Sequence, residues 1–168
     1  SAPALEATME EQMANSRWPE WGEAIVNMMV EAKSGENLLV VTETGFDRQI
    51  GESCLVAGIN AKANTQLLTI PQMTTSDADR DFSSTAGAIV GANVIIILGP
   101  AANESIARAL LESRNKGGRV TQCEPLGAED WILEGVLDVD YPRMTEVARK
   151  ICLLWNETDV CHVTSQLG

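Results

Sequence analysis

Apolar residues fall along this chain in two rhythms, short unbroken runs and stripes spaced by three and four, and together they predict an α/β fold. Leu38–Val41 and Val94–Leu98 (VIIIL) are continuous runs of the kind a parallel sheet buries on both faces. Thr65–Ile70 reads as another strand, stopped by Pro71, and Arg119–Cys123 as a fourth, after which Pro125 and Gly127 turn the chain. Val160 and His162 alternate with Cys161 and Val163, which predicts a last strand over Asp159–Thr164. Between these runs the period lengthens to that of a helix. Trp18, Trp21, Ile25, Met28, Met29 and Ala32 predict a helix from about Pro19 to Lys33, closed by Ser34-Gly35 and packed on the sheet or on a partner subunit. Ile50, Cys54 and Ala57 mark a second helix and Ser83–Ala92 a short third. Ile106, Ala109, Leu110 and Ser113 mark a fourth, closed by Gly117-Gly118. Trp131–Leu133 gives a brief helical piece, and Met144, Val147, Ala148, Ile151 and Trp155 define a long last helix.

Strand and helix alternating in this way imply right-handed crossovers and an open, mainly parallel, five-stranded Rossmann-like sheet with helices on both faces. Ser1–Asn15 has few apolar anchors and reads as an N-terminal arm, leaving 16–168 as a single α/β domain.

Asn37–Gly58 organises the rest, because it is the first strand-turn-helix unit. Ligands of open α/β sheets sit beyond the carboxyl ends of strands, so the turn Thr42–Asp47 is the first place to look for function. Thr44 or Asp47 is placed to cap the helix that follows. The polar stretch Gln72–Asp81 reads as a loop, either a solvated surface or a lid over the strand ends. At the turn Gly99–Glu104 the helix N-terminus is already matched by Glu104. Neither GxGxxG nor GxxxxGK[ST] occurs, so nucleotide binding is not supported.

Composition narrows the partners. Twenty-four acidic residues against twelve basic ones give a formal charge of −12, which repels phosphate backbones and anionic lipid. Nucleic acid and membrane surfaces are therefore excluded as expected partners. The longest apolar run is far too short to cross a bilayer and no leader pattern opens the chain, so a soluble, cytoplasmic protein is expected. Cys54, Cys123, Cys152 and Cys161 form no CxxC pair and read as buried reduced thiols. With His162 the only histidine, no metal site is expected within this chain; Cys152, Cys161 and His162 are awkwardly spaced for zinc.

The segments KSGENLLVVTETGFDR, ANVIIILGP, KGGRV, LDVDYPRMTEVARKI and CHVTSQLG, in that order, carry a resemblance. They are similar to the N-terminal domain of the leucyl aminopeptidase-like family, which includes metal-dependent aminopeptidases and the 2,5-dihydroxypyridine ring-cleaving dioxygenases. The similarity runs from about Trp21 to Gly168, and its motifs are short. In relatives the final segment continues into TDL and a second domain. The resemblance implies that the metal ligands belong to that second domain, so no metal residue carries over to this chain. Any divalent metal would be held by the C-terminal part. It gives the TETGFDR turn a structural or cleft-lining role, which makes Thr44, Asp47 and Arg48 the cleft candidates. Read from the residues alone, Thr44 and Asp47 are equally helix caps and Arg48 a surface ion.

The stop at Ser165-Gln166-Leu167-Gly168 reads as trimming, as proteolysis at an exposed junction, or as self-cleavage after Gly168. Self-cleavage would free an N-terminal threonine, as the relatives' sequence implies, able to act as a nucleophile with its own amine as base. The leading expectation is the N-terminal α/β domain or subunit of a hydrolase acting on an amide or peptide C–N bond. Its partners would be a C-terminal domain or second polypeptide, a small-molecule substrate and further copies of itself. Two alternatives are the N-terminal domain of a metal-dependent dioxygenase that opens hydroxylated pyridines, and a binding module without chemistry. The chain by itself holds no complete reactive set: on a strand His162 and Ser165 would face opposite sides.

Overall fold

The computed structural model describes residues 17–74, 80–99, 103–123, 137, 139–160, 162 and 165. They fall into two compact units, Ser1–Leu137 and Asp138–Gly168. The arm at 1–15, the helical piece at Trp131–Leu133 and the terminal Gly168 lie outside the described residues.

In the first unit, strands β1 (Asn37–Glu43), β2 (Asn64–Ile70), β3 (Val94–Leu98) and β4 (Arg119–Cys123) form one sheet in the order β2-β1-β3-β4. Every pairing is parallel, with Leu38 opposite Thr65 on one side and Val94 on the other, and Val94 opposite Arg119. The fold class is as expected, but the described residues hold four strands and not five. Asp159, Val160 and His162 carry no strand, and Cys161, Val163 and Thr164 lie outside the described residues. A four-residue alternation is too short to distinguish a strand from a loop without a ladder partner.

The two faces of the sheet bury separate cores. Leu38 and Val40 of β1 with Val94, Ile96 and Leu98 of β3 pack under α1 (Trp18–Glu23) and α2 (Arg48–Asn60). Leu39, Val41, Ile95 and Ile97 point the other way, where Ile89 of α3 (Ser83–Gly91) and Ile106, Ala109 and Leu110 of α4 (Glu104–Asn115) join them. Side chains alternating along each strand produce this division.

The first helix departs from its predicted length and pitch. After α1 the chain continues as a π-helix over Ala24–Met29, with Val30 N–H donating to Ile25 O at 3.0 Å, and Glu31 lies at φ +48°. The wider turn rotates the buried face: Trp21, Ile25, Val26 and Val30 are buried while Met28 and Met29 are exposed. Arg119 stabilises this end, its guanidinium donating to Val30 O, Glu31 O and the Glu36 carboxylate.

In the second unit α5 (Tyr141–Asn156) is capped by Asp140, whose carboxylate accepts from Arg143 N–H at 3.1 Å. Its stripe of Met144, Val147, Ile151, Leu154 and Trp155 is exposed. Cys152 on the same helix is also exposed, whereas Cys54 is buried and Cys123 half-buried, so the expected burial of the thiols holds for only part of the set. Burial raises the Cys54 thiol far above its ordinary range, with the nearby Cys123 adding to the effect, and Cys54 is therefore an unreactive core residue.

Candidate functional site

The strand order places the topological switch point between β1 and β3. The connection after β1 leads to β2 on one side, and β3 lies on the other, and in open α/β sheets ligands sit at such a point beyond the carboxyl ends of the strands. Two residues stand at those ends, Glu43 closing β1 and Gly99 immediately following β3.

Glu43 lies on the same face of β1 as Leu39 and Val41 and is only 3% exposed. One carboxylate oxygen, Oε2, accepts from Met73 N–H at 3.1 Å. The other, Oε1, has no hydrogen-bond partner and is closed off from water. Burial therefore pushes the Glu43 carboxyl above the usual range, and the Met73 N–H offsets part of that shift. Gly99 adopts φ +143°, a conformation nearly confined to glycine, and a Cβ there would lie 2.9 Å from Glu43 Oε1 and 3.1 Å from the edge of the Phe46 ring. The bare oxygen, the aromatic edge and the glycine backbone thus meet at one point.

A cleft of about 620 Å³ lies at the β1–α2 turn, on the side of β2. Phe46, Leu55 and Leu67 supply its apolar wall, and Glu43, Thr44 and Thr69 its polar one. Arg48 and Glu52 also line it and form an ion pair with each other. The Arg48 side chain is 76% exposed, so that pair contributes little to stability.

The three residues expected at this cleft divide among different tasks. Thr44 lines it, and its hydroxyl accepts from Gln72 N–H at 3.1 Å, joining the ends of β1 and β2 and capping no helix. Arg48 lines it as well. Asp47 is the N-cap of α2, its carboxylate accepting from Gln49 N–H at 2.9 Å. Gln72 and Met73 are therefore tied to the end of β1, and Met73 is buried; residues 75–79 of the polar stretch lie outside the described residues.

Beyond β3, Asn103 caps α4, accepting from Ser105 N–H at 2.9 Å and Ile106 N–H at 3.3 Å while its amide donates to Arg80 O at 2.9 Å. Glu104, expected in the helix-terminus role, pairs with Arg108 one turn on. A buried asparagine supplies the acceptor that the free N–H groups need, and the acidic residue remains at the surface.

Glu43 is the residue that sequence reasoning missed, because Thr42 and Glu43 read as the start of a polar turn. The signal was present in the period of two: Leu39, Val41 and Glu43 share one face, so a strand two residues longer carries the carboxyl inward. The described residues do not fit a metal ion, since no group of three or more His, Cys, Asp or Glu side chains converges among them. No described helix is long and apolar enough to cross a membrane.

Comparison with protein-family models and with curated proteins finds no match. Among solved structures the chain is similar to 2,5-dihydroxypyridine dioxygenase from Pseudomonas putida KT2440, with 13% identity and a TM-score of 0.45, over 63% of this chain and 33% of that one. It is also similar to the CurK enoyl reductase, with 8% identity and a TM-score of 0.44, over 98% of this chain and 56% of that one. The matched region is about a third of the first protein's length and little over half of the second's. At these identities and TM-scores the likeness carries nothing about what the chain does.

Proposed function

We propose that this chain is the N-terminal α/β domain, or a separate subunit, of a larger enzyme, and that the cleft at the β1–α2 turn, beside the switch point, is one wall of its active site. The observation that carries the reading is the Glu43 carboxyl, buried at the switch point with one oxygen unpaired. Burying a carboxyl without partners is costly, and such groups concentrate at sites that a ligand completes. Thr44 and Arg48 line the same wall, and Asp47 fixes the helix that carries Arg48.

The reaction comes from the sequence resemblance: hydrolysis of an amide or peptide C–N bond in a small substrate, with the reactive groups, and any divalent metal, contributed from outside the described residues. The test compares the 168-residue chain with the same chain joined to, or mixed with, the polypeptide encoded after Gly168. Amine release from amino-acid amides and oxygen uptake with dihydroxypyridines are followed in parallel. The reading expects no turnover by the chain alone and amine release once the second part is present. Oxygen uptake would assign ring cleavage, and full turnover by the chain alone would overturn the wall reading. Ligand binding with no turnover in either form would identify a binding module.

A further inference from the structure

We infer that α5 is a dimerisation helix whose exposed stripe packs, antiparallel and across a two-fold axis, against the α5 stripe of a second copy of this chain. The stripe belongs to the second unit and owes nothing to the cleft reading above. Six of the twelve large apolar side chains exposed among the described residues lie on this one 16-residue helix, on which no residue is buried. A contiguous apolar patch of that kind marks an interaction surface. Met144, Val147, Ile151 and Leu154 are spaced by three, four and three, the seam along which one helix packs on another helix.

The shape of the stripe selects a second copy and sets its direction. Beside its N-terminal half lies a hollow of about 540 Å³ lined by Val139, Met144, Val147 and Ile151, whereas at its C-terminal half Leu154 and Trp155 stand 65% and 63% exposed. An antiparallel partner sets its own Leu154 and Trp155 into that hollow and receives this chain's in return, the self-complementarity that a closed two-fold dimer requires. With the axis midway between Val147 and Ile151, Met144 meets the partner's Leu154 and Val147 meets the partner's Ile151. The small Ala148 lies beside the axis and lets the helices approach.

The charges agree with this direction. Arg143 and Glu157 are two heptads apart, so they flank the seam on the same side at opposite ends. Antiparallel packing places each Arg143 beside the partner's Glu157, while parallel packing would gather both arginines at one end and both glutamates at the other. Antiparallel helices also oppose their dipoles. Lys150, which falls near the axis on that side, is neutralised by Glu146 of its own helix at 2.6 Å. Residues 140–159 hold three basic side chains and four acidic ones, so the charge of −12 is carried elsewhere and opposes pairing least at this face. At 1.5 Å per residue α5 is only about 24 Å long, a seam at the small end of interface sizes, and a dimer of micromolar affinity follows.

The experiment measures the mass of the 168-residue chain by sedimentation velocity across the micromolar range. The expected result is a monomer–dimer equilibrium with its midpoint in that range, lost in Ile151→Glu. Because Ile151 is exposed, the urea midpoint of that variant should match that of the natural chain when both are diluted to monomer. Arg143→Glu and Glu157→Arg should each weaken the dimer about tenfold, since two rim ion pairs turn to repulsion, and the double variant should restore it. A chain that stays monomeric would leave the stripe to another occupant and overturn the assignment. A dimer that survives Ile151→Glu would overturn it too, as would a double charge variant that pairs no more tightly than the single ones. A lowered urea midpoint for dilute Ile151→Glu would show the stripe covered within its own chain, which also overturns it. The charge variants need no change to the seam, so the test holds even where Ile151→Glu fails to fold.

Discussion

Replacing Gly99 by alanine places a methyl group 2.9 Å from Glu43 Oε1 and 3.1 Å from both Glu43 Cδ and Phe46 Cε2, at a backbone angle of φ +143°. Two costs follow from that geometry. The backbone conformation is nearly glycine-only and costs about 1–3 kcal/mol for a residue with a Cβ. The contacts, tighter than ordinary packing, cost about 1–3 kcal/mol more as the carboxyl and the ring shift. Gly99→Ala should therefore lower the unfolding free energy by about 2–6 kcal/mol, a large share of the stability of a typical domain. The two costs separate in a double-mutant cycle with Glu43→Ala. Truncating Glu43 removes the carboxyl from the methyl's path and leaves the backbone term, so Gly99→Ala should cost about 1–2 kcal/mol less in that background. Urea unfolding followed by tryptophan fluorescence measures all four proteins, with the buried Trp21 as reporter. A coupling below about 0.5 kcal/mol would mean that the two residues do not touch and would refute the geometry.

Three further perturbations bear on the same frame. Glu43 has a folded-state pKa above its unfolded value, so its contribution to stability is fully present below the unfolded pKa, about 4.3, and is lost as pH rises through the folded one. The unfolding free energy of the natural chain minus that of Glu43→Gln should accordingly fall as pH rises from about 4 toward neutrality, and a difference that stays flat or grows would count against burial of the carboxyl. Asn103→Ala removes the cap of α4 and the bond to Arg80 O and should cost about 1–2 kcal/mol in denaturant titration; a loss within about 0.5 kcal/mol would show that α4 does not depend on this cap. Gly22→Ala should destabilise by about 2 kcal/mol or more even though alanine favours helix by about 1 kcal/mol, because its Cβ would lie 2.6 Å from the Ser53 carbonyl where α1 crosses α2; a stabilised variant would contradict that close approach.

Patterns dominated by burial were legible in the sequence. VIIIL is β3 residue for residue, and the stripe Ile106, Ala109, Leu110, Ser113 is the buried face of α4, because in both cases one period accounts for every buried position. Residues whose role depends on a non-local partner were harder to read. Glu43 is polar and precedes a turn, so local chemistry places it outside, and only the continuation of β1 alongside β2 to the pair Glu43–Ile70 draws it in. The π-helix was illegible for a related reason: Met28 and Met29 fit a period of 3.6, and the wider turn that exposes them is held by Arg119, 88 residues away from Glu31 in sequence. Asp47 was legible as a cap and Thr44 was not, since its partner is the backbone of Gln72 across the end of the sheet.

The account turns on one carboxyl, and its titration is the most direct test. With glutamate labelled at the carboxyl carbon, Glu43 is predicted to titrate above the exposed glutamates of the same chain, because burial disfavours its ionised form. A Glu43 signal that titrates together with the exposed glutamates would contradict the buried carboxyl on which the reading of this site rests.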